Sequence, residues 1–360
     1  MDATRRTVIT GTGSYLPPTI IGNETFLESR FHDPQGQPFA QEPAETVAKF
    51  HSITGIAERR YVDRDLVASD IAALAAEEAV ASWGGDRETL DYVVVAHNFG
   101  DVRADNRRSD FVPSLAARVK AKLRIENPRA VAYDLPFGCP GWLQGVIQAD
   151  YFLRSGDASR ALVIGAETLS RVCDPHDRDS MIYADGAGAT VLEARETAAP
   201  VGVLGHASRS DTREHAYLLR MECSCLPGSQ GDDLFLKMDG HKVYEYAVKT
   251  VPEVVHEALA RAGAQVADVR KFLLHQANAK MDEAILKRVL RSAGLRTPPE
   301  ELAPMTVGWL GNSSVATLPT LLDLLARNQV EGHRLESGDL VVFASVGAGM
   351  NCNALAYRVP

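Results

Sequence analysis

The sequence predicts an α/β fold made of two halves that repeat the same order of elements. In each half an apolar helix pattern, at 69–83 and at 243–261, precedes a strand, at 91–98 and at 271–278. Strands that are apolar on consecutive residues and alternate with helices are typical of sheets covered on both faces. Because the order of elements recurs, we expect one α/β unit to be present twice.

The repeat continues through five further pairs of segments. In each half a glycine-led segment opens a helix, a Ser-Gly-Asp turn ends that helix, and a buried strand follows. A Gly-Ala-Gly turn and a final strand then close the half. Glycine supports this interpretation at the helix ends because it readily takes the left-handed conformation found there. In that order, the pairs are 138–142 with 311–314, 155–157 with 337–339, 161–165 with 340–344, 186–188 with 347–349, and 189–192 with 354–357.

The boundary between the halves is expected near Ala198-Ala199-Pro200, where the apolar pattern weakens. We therefore predict an N-terminal half at 1–198, which carries a nucleophilic cysteine, and a C-terminal half at 199–360. Two stretches interrupt the repeat, at 31–43 and at roughly 209–233, and are predicted to be loops.

Composition and charge exclude several classes of protein. The 360 residues are 45% hydrophobic and 24% charged, which is ordinary for a globular chain. A net charge of −9 argues against a nucleic-acid-binding protein, and no run of about 18 apolar residues suggests a membrane span. The five cysteines form an odd, scattered set that suits a reducing compartment better than a disulfide framework. We therefore expect a soluble, cytoplasmic protein.

Local motifs that resemble cofactor or metal sites depart from them in their details. Gly11-Thr12-Gly13 begins like a dinucleotide loop, yet Pro17-Pro18 block the first turns of the helix that would hold the pyrophosphate. Cys223 and Cys225 are closer in sequence than zinc ligands usually are. The acidic segment 174–179 lacks the spacing of a calcium loop. The sequence therefore predicts neither a cofactor nor a metal ion.

Polar residues from both halves are expected to meet at the centre of the molecule. Cys139 precedes a predicted helix, where free N–H groups and the helix dipole favour a thiolate and lower the thiol pKa toward neutrality. Asn312 holds the corresponding place in the second half, and His275 ends a strand of that half. Chemistry in α/β proteins concentrates at the carboxyl ends of strands. We therefore predict that the nucleophile Cys139 faces two neutral hydrogen-bond donors.

These residues lie in motifs that are spread over nearly the whole chain. The motifs are Gly-Thr-Gly-Ser-Tyr-Leu-Pro at 11–17, Thr-Gly-Ile-Ala-Glu-Arg-Arg at 54–60, Cys-Pro-Gly at 139–141, Cys-Asp-Pro-His-Asp-Arg at 173–178, Asp-Gly-Ala-Gly-Ala at 185–189, His-Gln-Ala-Asn at 275–278 and Gly-Asn-Ser-Ser at 311–314. Together they resemble the β-ketoacyl-acyl carrier protein synthase III family of thiolase-like condensing enzymes. The resemblance implies a five-layered α/β/α/β/α fold, a homodimer and a catalytic trio of Cys139, His275 and Asn312.

The resemblance also implies a reaction in fatty-acid biosynthesis. The Cys139 thiolate takes an acyl group from a coenzyme A or acyl carrier protein thioester, and a carbanion made by decarboxylation of malonyl-acyl carrier protein then attacks that acyl group. His275 and Asn312 donate hydrogen bonds to the enolate oxygen. The Cys139 N–H and the turn Gly347-Ala348-Gly349 hold the tetrahedral oxyanion. The expected partner is acyl carrier protein, and no cofactor is implied.

The residues around Cys139 depart from the family pattern and predict a reshaped acyl pocket. The usual context is alanine-rich, Ala-Cys-Ala-Gly-Phe, whereas this chain has Phe-Gly-Cys-Pro-Gly-Trp at 137–142. The candidate pocket residues are Phe111, Val112, Phe137 and Trp142.

Arg178, Asn278 and Lys280 are the candidates for binding the substrate or the carrier protein. By resemblance, Lys280 matches a carrier-protein docking position, and Arg178 is what remains of a clamp for coenzyme A. Lys49 and Ile53 stand where the familiar initiating enzymes have a tryptophan and an arginine of that clamp. The acyl donor therefore stays open between coenzyme A and a carrier protein.

The same residues bear on four alternative functions. The strongest is a specialised-metabolism ketosynthase that makes a polyketide, pigment or resorcinol-type product from carrier-protein-bound acyl chains. A degradative thiolase would need a second cysteine before the last glycine turn, where the chain reads Phe-Ala-Ser-Val at 343–346. A Cys-His-Asn peptidase has no place for the duplicated sheets. A homologue that only scaffolds a partner would be expected to lose the nucleophile.

Overall fold

The structure, a computed structural model, describes residues 3–229, 232–295 and 300–360. The strands in these ranges are β1 (Thr4–Tyr15), β2 (Thr19–Gly22), β3 (Glu58–Tyr61), β4 (Tyr92–His97), β5 (Asp101–Arg103), β6 (Asn106–Asp110), β7 (Val131–Pro136), β8 (Arg160–Thr168), β9 (Asp185–Thr197), β10 (Gly202–Ser210), β11 (Leu219–Glu222), β12 (Phe235–Met238), β13 (Val269–Leu274), β14 (Leu340–Gly347) and β15 (Asn351–Arg358). The α-helices are α1 (Pro43–Thr54), α2 (Ala68–Trp83), α3 (Leu115–Lys122), α4 (Gly141–Ser155), α5 (Thr212–His215), α6 (Gly240–Arg261), α7 (Ala279–Ser292), α8 (Val307–Leu310) and α9 (Thr317–Ala326).

Two mixed sheets form the centre of the described structure. The first has the strand order β1-β9-β8-β4-β7, and the second has the order β10-β15-β14-β13. In the first sheet β4 runs parallel to β7 and β8, and in the second sheet β13 runs parallel to β14. The remaining pairs in both sheets are antiparallel. The two sheets therefore share one plan, with a parallel part and an antiparallel part.

Apolar helix faces pack on both sides of each sheet and produce five layers. Helices α2 and α3 cover the outer face of the first sheet, and α6 and α7 cover the outer face of the second. Helices α4 and α9 lie between the sheets, where Leu143 of α4 shares a buried cluster with Val163 of the first sheet and Phe343 of the second. The α/β/α/β/α order implied by the resemblance is confirmed.

The helices and strands at the start of each repeat are present, with shifted ends. The helices expected at 69–83 and 243–261 are α2 and α6, and the strands expected at 91–98 and 271–278 are β4 and β13. Because β13 ends at Leu274, the four residues from His275 onward belong to the connection before α7. We keep the division of the chain at 198/199 as a proposal, and it falls between β9 and β10.

The prediction of a Gly-Ala-Gly turn at 186–188 was wrong, because these residues lie inside β9. A Cβ atom at Gly188 would come within 2.6 Å of the backbone nitrogen of Thr320 in α9. Glycine is needed there so that a helix can approach the strand closely. The corresponding segment at 347–349 does turn the chain, with Gly349 at a φ of 76°.

The second helix of the repeat is shorter than predicted. Helix α9 ends at Ala326, well before the Ser-Gly-Asp turn at 337–339, whereas Gly156 caps α4 with a φ of 88° as expected. The stretch 209–233 is not a plain loop either, since it contains the end of β10, the short α5 and β11.

None of the helices in the described ranges is long and apolar enough to span a membrane.

Candidate active site

A narrow cavity of about 70 Å³ lies where strands of both sheets end. The structure brings Cys139, His275 and Asn312 together on its wall. Cys139 lies just before α4, His275 follows β13, and Asn312 lies in the segment before α9. The other lining residues are Asn98, Phe99, Leu169, Tyr183, Leu219, Leu236, Met238, Val243, Ala277, Met281, Ser314, Val346, Gly347 and Ala348.

Cys139 lies in a tight turn directly before α4. The preceding Gly138 has a φ of 72°, and its carbonyl accepts a hydrogen bond from the backbone nitrogen of Gly141 at 2.9 Å. Glycine adopts this left-handed conformation without a Cβ clash. A Cβ atom at Gly138 would also lie 2.9 Å from the backbone nitrogen of Ala348. Glycine at this position therefore both turns the chain and lets the 347–349 turn approach the nucleophile.

Burial determines the protonation state of the Cys139 thiol. Loss of solvation raises its pKa to about 11, while a hydrogen bond from Ser314 lowers the pKa and the Glu167 carboxyl raises it. The predicted shift toward neutrality was therefore wrong in direction for the free enzyme. The physical reason is that a charged sulfur is disfavoured in a cavity of low polarity. The thiol carries its proton at neutral pH.

His275 is a buried, neutral imidazole. Its backbone N–H donates to the carbonyl of Ala344 at 2.8 Å, which ties it to β14. The side chain is 5% exposed, and burial lowers its pKa to about 4. Nδ1 is buried and has no hydrogen-bond partner among the described residues. A neutral imidazole donates one hydrogen bond and accepts another, so this ring is suited to donate to a ligand oxygen.

Asn312 is fixed by its backbone on both sides. Its N–H donates to the carbonyl of Ile182 at 3.0 Å, and its carbonyl accepts from the N–H of Ala184 at 2.9 Å. The side-chain Oδ1 accepts from the N–H of Ser314 at 2.8 Å. Because the amide oxygen is engaged in this way, the NH₂ group is the end available to a ligand.

Apolar side chains from the second half form much of the cavity wall. Leu219 lies on β11, Leu236 and Met238 lie on β12, and Val243 lies in the first turns of α6. β11 and β12 pair as a two-stranded sheet beside the site. Of these residues only Leu219 belongs to the stretch 209–233 that was predicted to be a loop, so that stretch contributes one residue to this wall.

The structure does not bring the predicted acyl-pocket residues to this cavity. Trp142 is 1% exposed, and its ring packs on Phe343 with centroids 5.8 Å apart, because this face of α4 points into the layer between the sheets. Phe137 is half-buried. Phe111 and Val112 follow β6 and are 46% and 85% exposed. Other side chains, among them Leu219, Leu236 and Met238, form the cavity wall instead.

The predicted binding residues lie outside the cavity. The Arg178 guanidinium lies over the ring of Phe39, 5.3 Å from its centroid. Asn278 caps α7, since its Oδ1 accepts from the N–H of Met281 at 2.8 Å. Lys280 is exposed in the first turn of α7, next to Met281, whose side chain lines the cavity. Asn278 therefore caps a helix, and the docking role of Lys280 stays a prediction.

The sequence-based reasoning missed Asn98, Glu167 and Ser314. Asn98 directly follows β4, and Glu167 is the penultimate residue of β8. Both are polar residues at the carboxyl end of a buried strand, the same signal that singled out His275. Ser314 belongs to the Gly-Asn-Ser-Ser motif at 311–314, in which the sequence analysis predicts a role for Asn312 alone.

The alternative of a zinc site at Cys223 and Cys225 receives no support from the described residues. The Cys225 thiol accepts a hydrogen bond from Lys237 Nζ at 2.9 Å, and that ammonium group also pairs with Asp174 at 2.5 Å. In the described part of the chain, no group of at least three His, Cys, Asp or Glu side chains is placed to hold a metal ion.

Comparison with known proteins places the chain in one family. The family model of 3-oxoacyl-[acyl-carrier-protein] synthase III matches residues 133–211, and its C-terminal model matches residues 259–359. Together the two models match half of the chain.

Solved structures agree with the family models. The β-ketoacyl-[acyl carrier protein] synthase III of Thermus thermophilus is 29% identical, with a TM-score of 0.80 over 98% of this chain and 99% of that one. The 3-oxoacyl-(acyl carrier protein) synthase III of Pseudomonas aeruginosa PAO1 is 28% identical, with a TM-score of 0.80 over 99% and 98%. The R1128 priming β-ketosynthase, 24% identical with a TM-score of 0.79 over 100% and 98%, shows the shared fold alone. The chain therefore belongs to the 3-oxoacyl-acyl carrier protein synthase III family of thiolase-like condensing enzymes and is an acyltransferase.

Proposed function

We propose that this chain transfers an acyl group to Cys139 and then condenses it with malonyl-acyl carrier protein by decarboxylation. The observation that carries the proposal is the meeting of Cys139, His275 and Asn312 on one cavity. One thiol and two neutral hydrogen-bond donors are the groups that this pair of half-reactions requires. The small volume of the cavity favours a short acyl group.

In the first half-reaction the Cys139 sulfur bonds to the acyl carbon of the donor thioester. The carbon–sulfur bond of the donor breaks, and the departing thiolate takes the proton of the Cys139 thiol, so that an acyl-enzyme and a free donor thiol result. Because the thiol is protonated at neutral pH, it must lose this proton as the sulfur attacks, so negative charge develops on the sulfur in this step. The N–H groups of Cys139 and Ala348 are the proposed donors to the tetrahedral oxyanion.

In the second half-reaction the malonyl carbon–carbon bond breaks and carbon dioxide leaves. The electron pair remains on an enolate, whose oxygen accepts hydrogen bonds from His275 and Asn312. The carbanion attacks the acyl carbon, and the Cys139 thiolate leaves and takes a proton from solvent. Donors in a buried, apolar cavity stabilise such a developing charge more strongly than donors in water do.

We also propose that the acyl group is delivered on a carrier protein. Arg178 is the remaining residue of the clamp for coenzyme A, and its guanidinium is engaged with Phe39 of the segment 31–43. This contact within the chain favours an acyl group delivered on a carrier protein over one delivered on coenzyme A. Malonyl-acyl carrier protein is the proposed second substrate in either case.

The proposed assembly is a homodimer. Strand β7 lies at the edge of the first sheet, where β4 is its neighbour among the described strands. Its first residue, Val131, is 50% exposed, and the apolar Phe111 and Val112 are also exposed. An open strand edge with exposed apolar side chains favours pairing with a second copy. Sedimentation equilibrium tests this proposal.

The experiment that tests the function combines malonyl-carrier protein with short acyl donors on coenzyme A and on carrier protein. We expect release of carbon dioxide together with a β-ketoacyl-carrier protein of the mass that the donor predicts. The Cys139→Ala variant, as the matched control, gives no condensed product. Absence of condensed product with every donor contradicts the proposal. A product formed only from long carrier-bound chains supports the specialised-metabolism alternative.

A further inference from the structure

A hydroxyl group lies beside the nucleophilic sulfur. Ser314 Oγ is 3.2 Å from Cys139 Sγ, and both side chains line the cavity. We propose that Ser314 is a further catalytic residue, which donates a hydrogen bond to the Cys139 sulfur and stabilises the thiolate that forms during acyl transfer. Asn98 and Glu167 are positioning residues that act through Ser314. The inference rests on the proposed function of Cys139.

The hydrogen bonds behind Ser314 fix the direction in which its hydroxyl donates. Asn98 Nδ2 lies 3.2 Å from Ser314 Oγ and also donates to Oε2 of Glu167. Both carboxyl oxygens of Glu167 accept from the backbone N–H of Asn98, and Oε2 also accepts from Nδ2, so Asn98 presents its NH₂ group to Glu167. The second N–H of that group then points to Ser314. The Ser314 oxygen accepts this bond, and its own proton is directed to the sulfur.

Glu167 holds the Asn98 amide in the required orientation. Glu167 is 1% exposed and also accepts a hydrogen bond from the backbone N–H of Asn98 at 3.1 Å. Burial raises its pKa to about 7, while nearby His97 and the bonds from Asn98 favour the charged form. A buried carboxylate is costly without hydrogen-bond donors. The buried Glu167 carboxyl group therefore keeps its hydrogen bonds from Asn98. These bonds hold the Asn98 amide in the orientation in which it donates to Ser314.

The backbone at Ser314 is also held in an uncommon conformation. Ser314 has a φ of 54°, in the left-handed region that residues other than glycine rarely adopt. Its N–H donates to Asn312 Oδ1 at 2.8 Å, and the carbonyl of Val315 approaches β8 so closely that a Cβ at Gly165 would lie 2.4 Å from it. Contacts on both sides thus fix the segment that directs the hydroxyl to Cys139. Backbone strain of this kind is concentrated at functional sites.

The hydrogen bond from Ser314 counteracts two effects that disfavour the Cys139 thiolate. Burial opposes the thiolate form of Cys139, and the negative charge of Glu167 opposes it too. Within the described ranges, Ser314 supplies the side-chain hydrogen bond to Sγ that acts in the opposite direction. Loss of a hydrogen bond to a charged group slows the step that forms that charge by about 10- to 100-fold.

Two variants of Ser314 separate the hydroxyl from the backbone. Ser314→Ala removes the hydroxyl. Ser314→Gly also removes it, and glycine accepts a φ of 54° without strain. Ser313→Ala is the matched control, because it alters a neighbouring buried serine that has no side-chain hydrogen bond to another described residue. The readout is the rate of Cys139 acylation, followed by rapid quench and mass spectrometry across a range of pH.

We expect both Ser314 variants to acylate about 10- to 100-fold more slowly than the unaltered enzyme, with the pH profile of acylation displaced upward. Ser313→Ala should match the unaltered enzyme in rate and profile. A loss of rate with an unmoved profile would indicate a structural role and would overturn the proposal, as would an unchanged rate in both Ser314 variants.

Asn98→Ala tests the positioning role. Because Asn98 acts through Ser314, the change should slow acylation in the unaltered background and add little in the Ser314→Gly background. Fully additive losses of acylation rate would show that Asn98 and Glu167 do not act through Ser314. Cys139→Ala belongs in the same series. If it still forms an acyl-enzyme, the proposed function itself fails, whereas an inactive Cys139→Ala with normal Ser314 variants removes only the inference about Ser314.

Discussion

Gly347 lies in contact with the backbone of Cys139. A Cβ atom on Gly347 would come within 2.6 Å of the Cys139 nitrogen and within 2.8 Å of its Cβ. Separations below about 3 Å do not occur between real Cβ atoms and backbone, so residue 347 has no room for a side chain. The last residue of β14 therefore sets the position of the nucleophile in the turn before α4.

Gly347→Ala should displace Cys139 and impair acyl transfer. We expect acylation to slow by at least about 100-fold, because the N–H groups that hold the oxyanion move together with the sulfur. Stopped-flow or rapid-quench acylation measures the effect. Gly240→Ala is the control, since its added Cβ meets only the end of Met238, at 3.6 Å. Equal rates in the two variants would show that the contact does not position the nucleophile.

The two half-reactions should respond to different variants. His275→Ala and Asn312→Ala should lose decarboxylation of malonyl-carrier protein by about 100- to 1000-fold, because each removes a donor to the enolate oxygen. Cys139 should still be acylated in both. Cys139→Ala should instead block acylation and leave some decarboxylation. Assays of carbon dioxide and of acyl-enzyme mass test this division, and parallel loss of both activities in every variant contradicts it.

Burial of His275 should make stability depend on pH. Its pKa is about 4 in the folded chain against an ordinary 6.5, so between these values the unfolded chain binds more protons than the folded chain. The contribution of this group to stability is therefore complete above pH 6.5 and is lost as the pH falls toward 4. Relative to His275→Gln, the unaltered protein should lose stability as the pH falls from 6.5 toward 4. Urea unfolding at a series of pH values measures this difference.

The control for this pH dependence is His51→Gln, because the His51 side chain is exposed and forms no ion pair with another described residue. That variant should follow the unaltered protein through the whole range. A constant stability difference between the unaltered protein and His275→Gln would contradict the buried, neutral state of His275.

Periodicity in the sequence was sufficient for most of the fold and for the central trio of side chains. Apolar runs identified β4, β8, β13 and β14, and the rule that chemistry lies at the carboxyl ends of strands selected His275. The repeat identified Asn312 as a counterpart of Cys139, although α9 begins five residues after Asn312 and α4 begins two residues after Cys139. Local patterns and strand order determine these features, so they could be predicted.

The wall of the cavity could not be predicted in this way. Trp142 is close to Cys139 in sequence, but the face of α4 on which it lies is turned to the layer between the sheets. Leu236 and Met238 line the site from a short strand that has no strong apolar pattern. The pKa of Cys139 depends on burial, which opposes the effect of the helix start. All three properties arise from packing between segments that are distant in sequence.

Lys280 should affect carrier-protein binding without affecting self-acylation. A charge at the rim of a binding site mainly changes the association rate and its salt dependence. Lys280→Glu should therefore raise the KM for malonyl-carrier protein, more strongly at low salt, and leave acylation by a small thioester analogue nearly unchanged. Arg334→Glu is the control. Arg334 is exposed and comes before Leu340, the first residue of β14, whereas the cavity lies at the other end of that strand. An unchanged KM in Lys280→Glu would exclude Lys280 from the docking surface.

Peptide mapping of the acyl-enzyme identifies the nucleophile. The enzyme is acylated with a short acyl thioester, digested, and sequenced by mass spectrometry. Reagents that alkylate any accessible thiol are less informative, because Cys223 is exposed whereas Cys173, Cys225 and Cys352 are buried. We predict that the acyl group is found on Cys139 and that subsequent addition of malonyl-carrier protein removes it. An acyl group on any other cysteine, or one on Cys139 that malonyl-carrier protein does not discharge, would contradict the account.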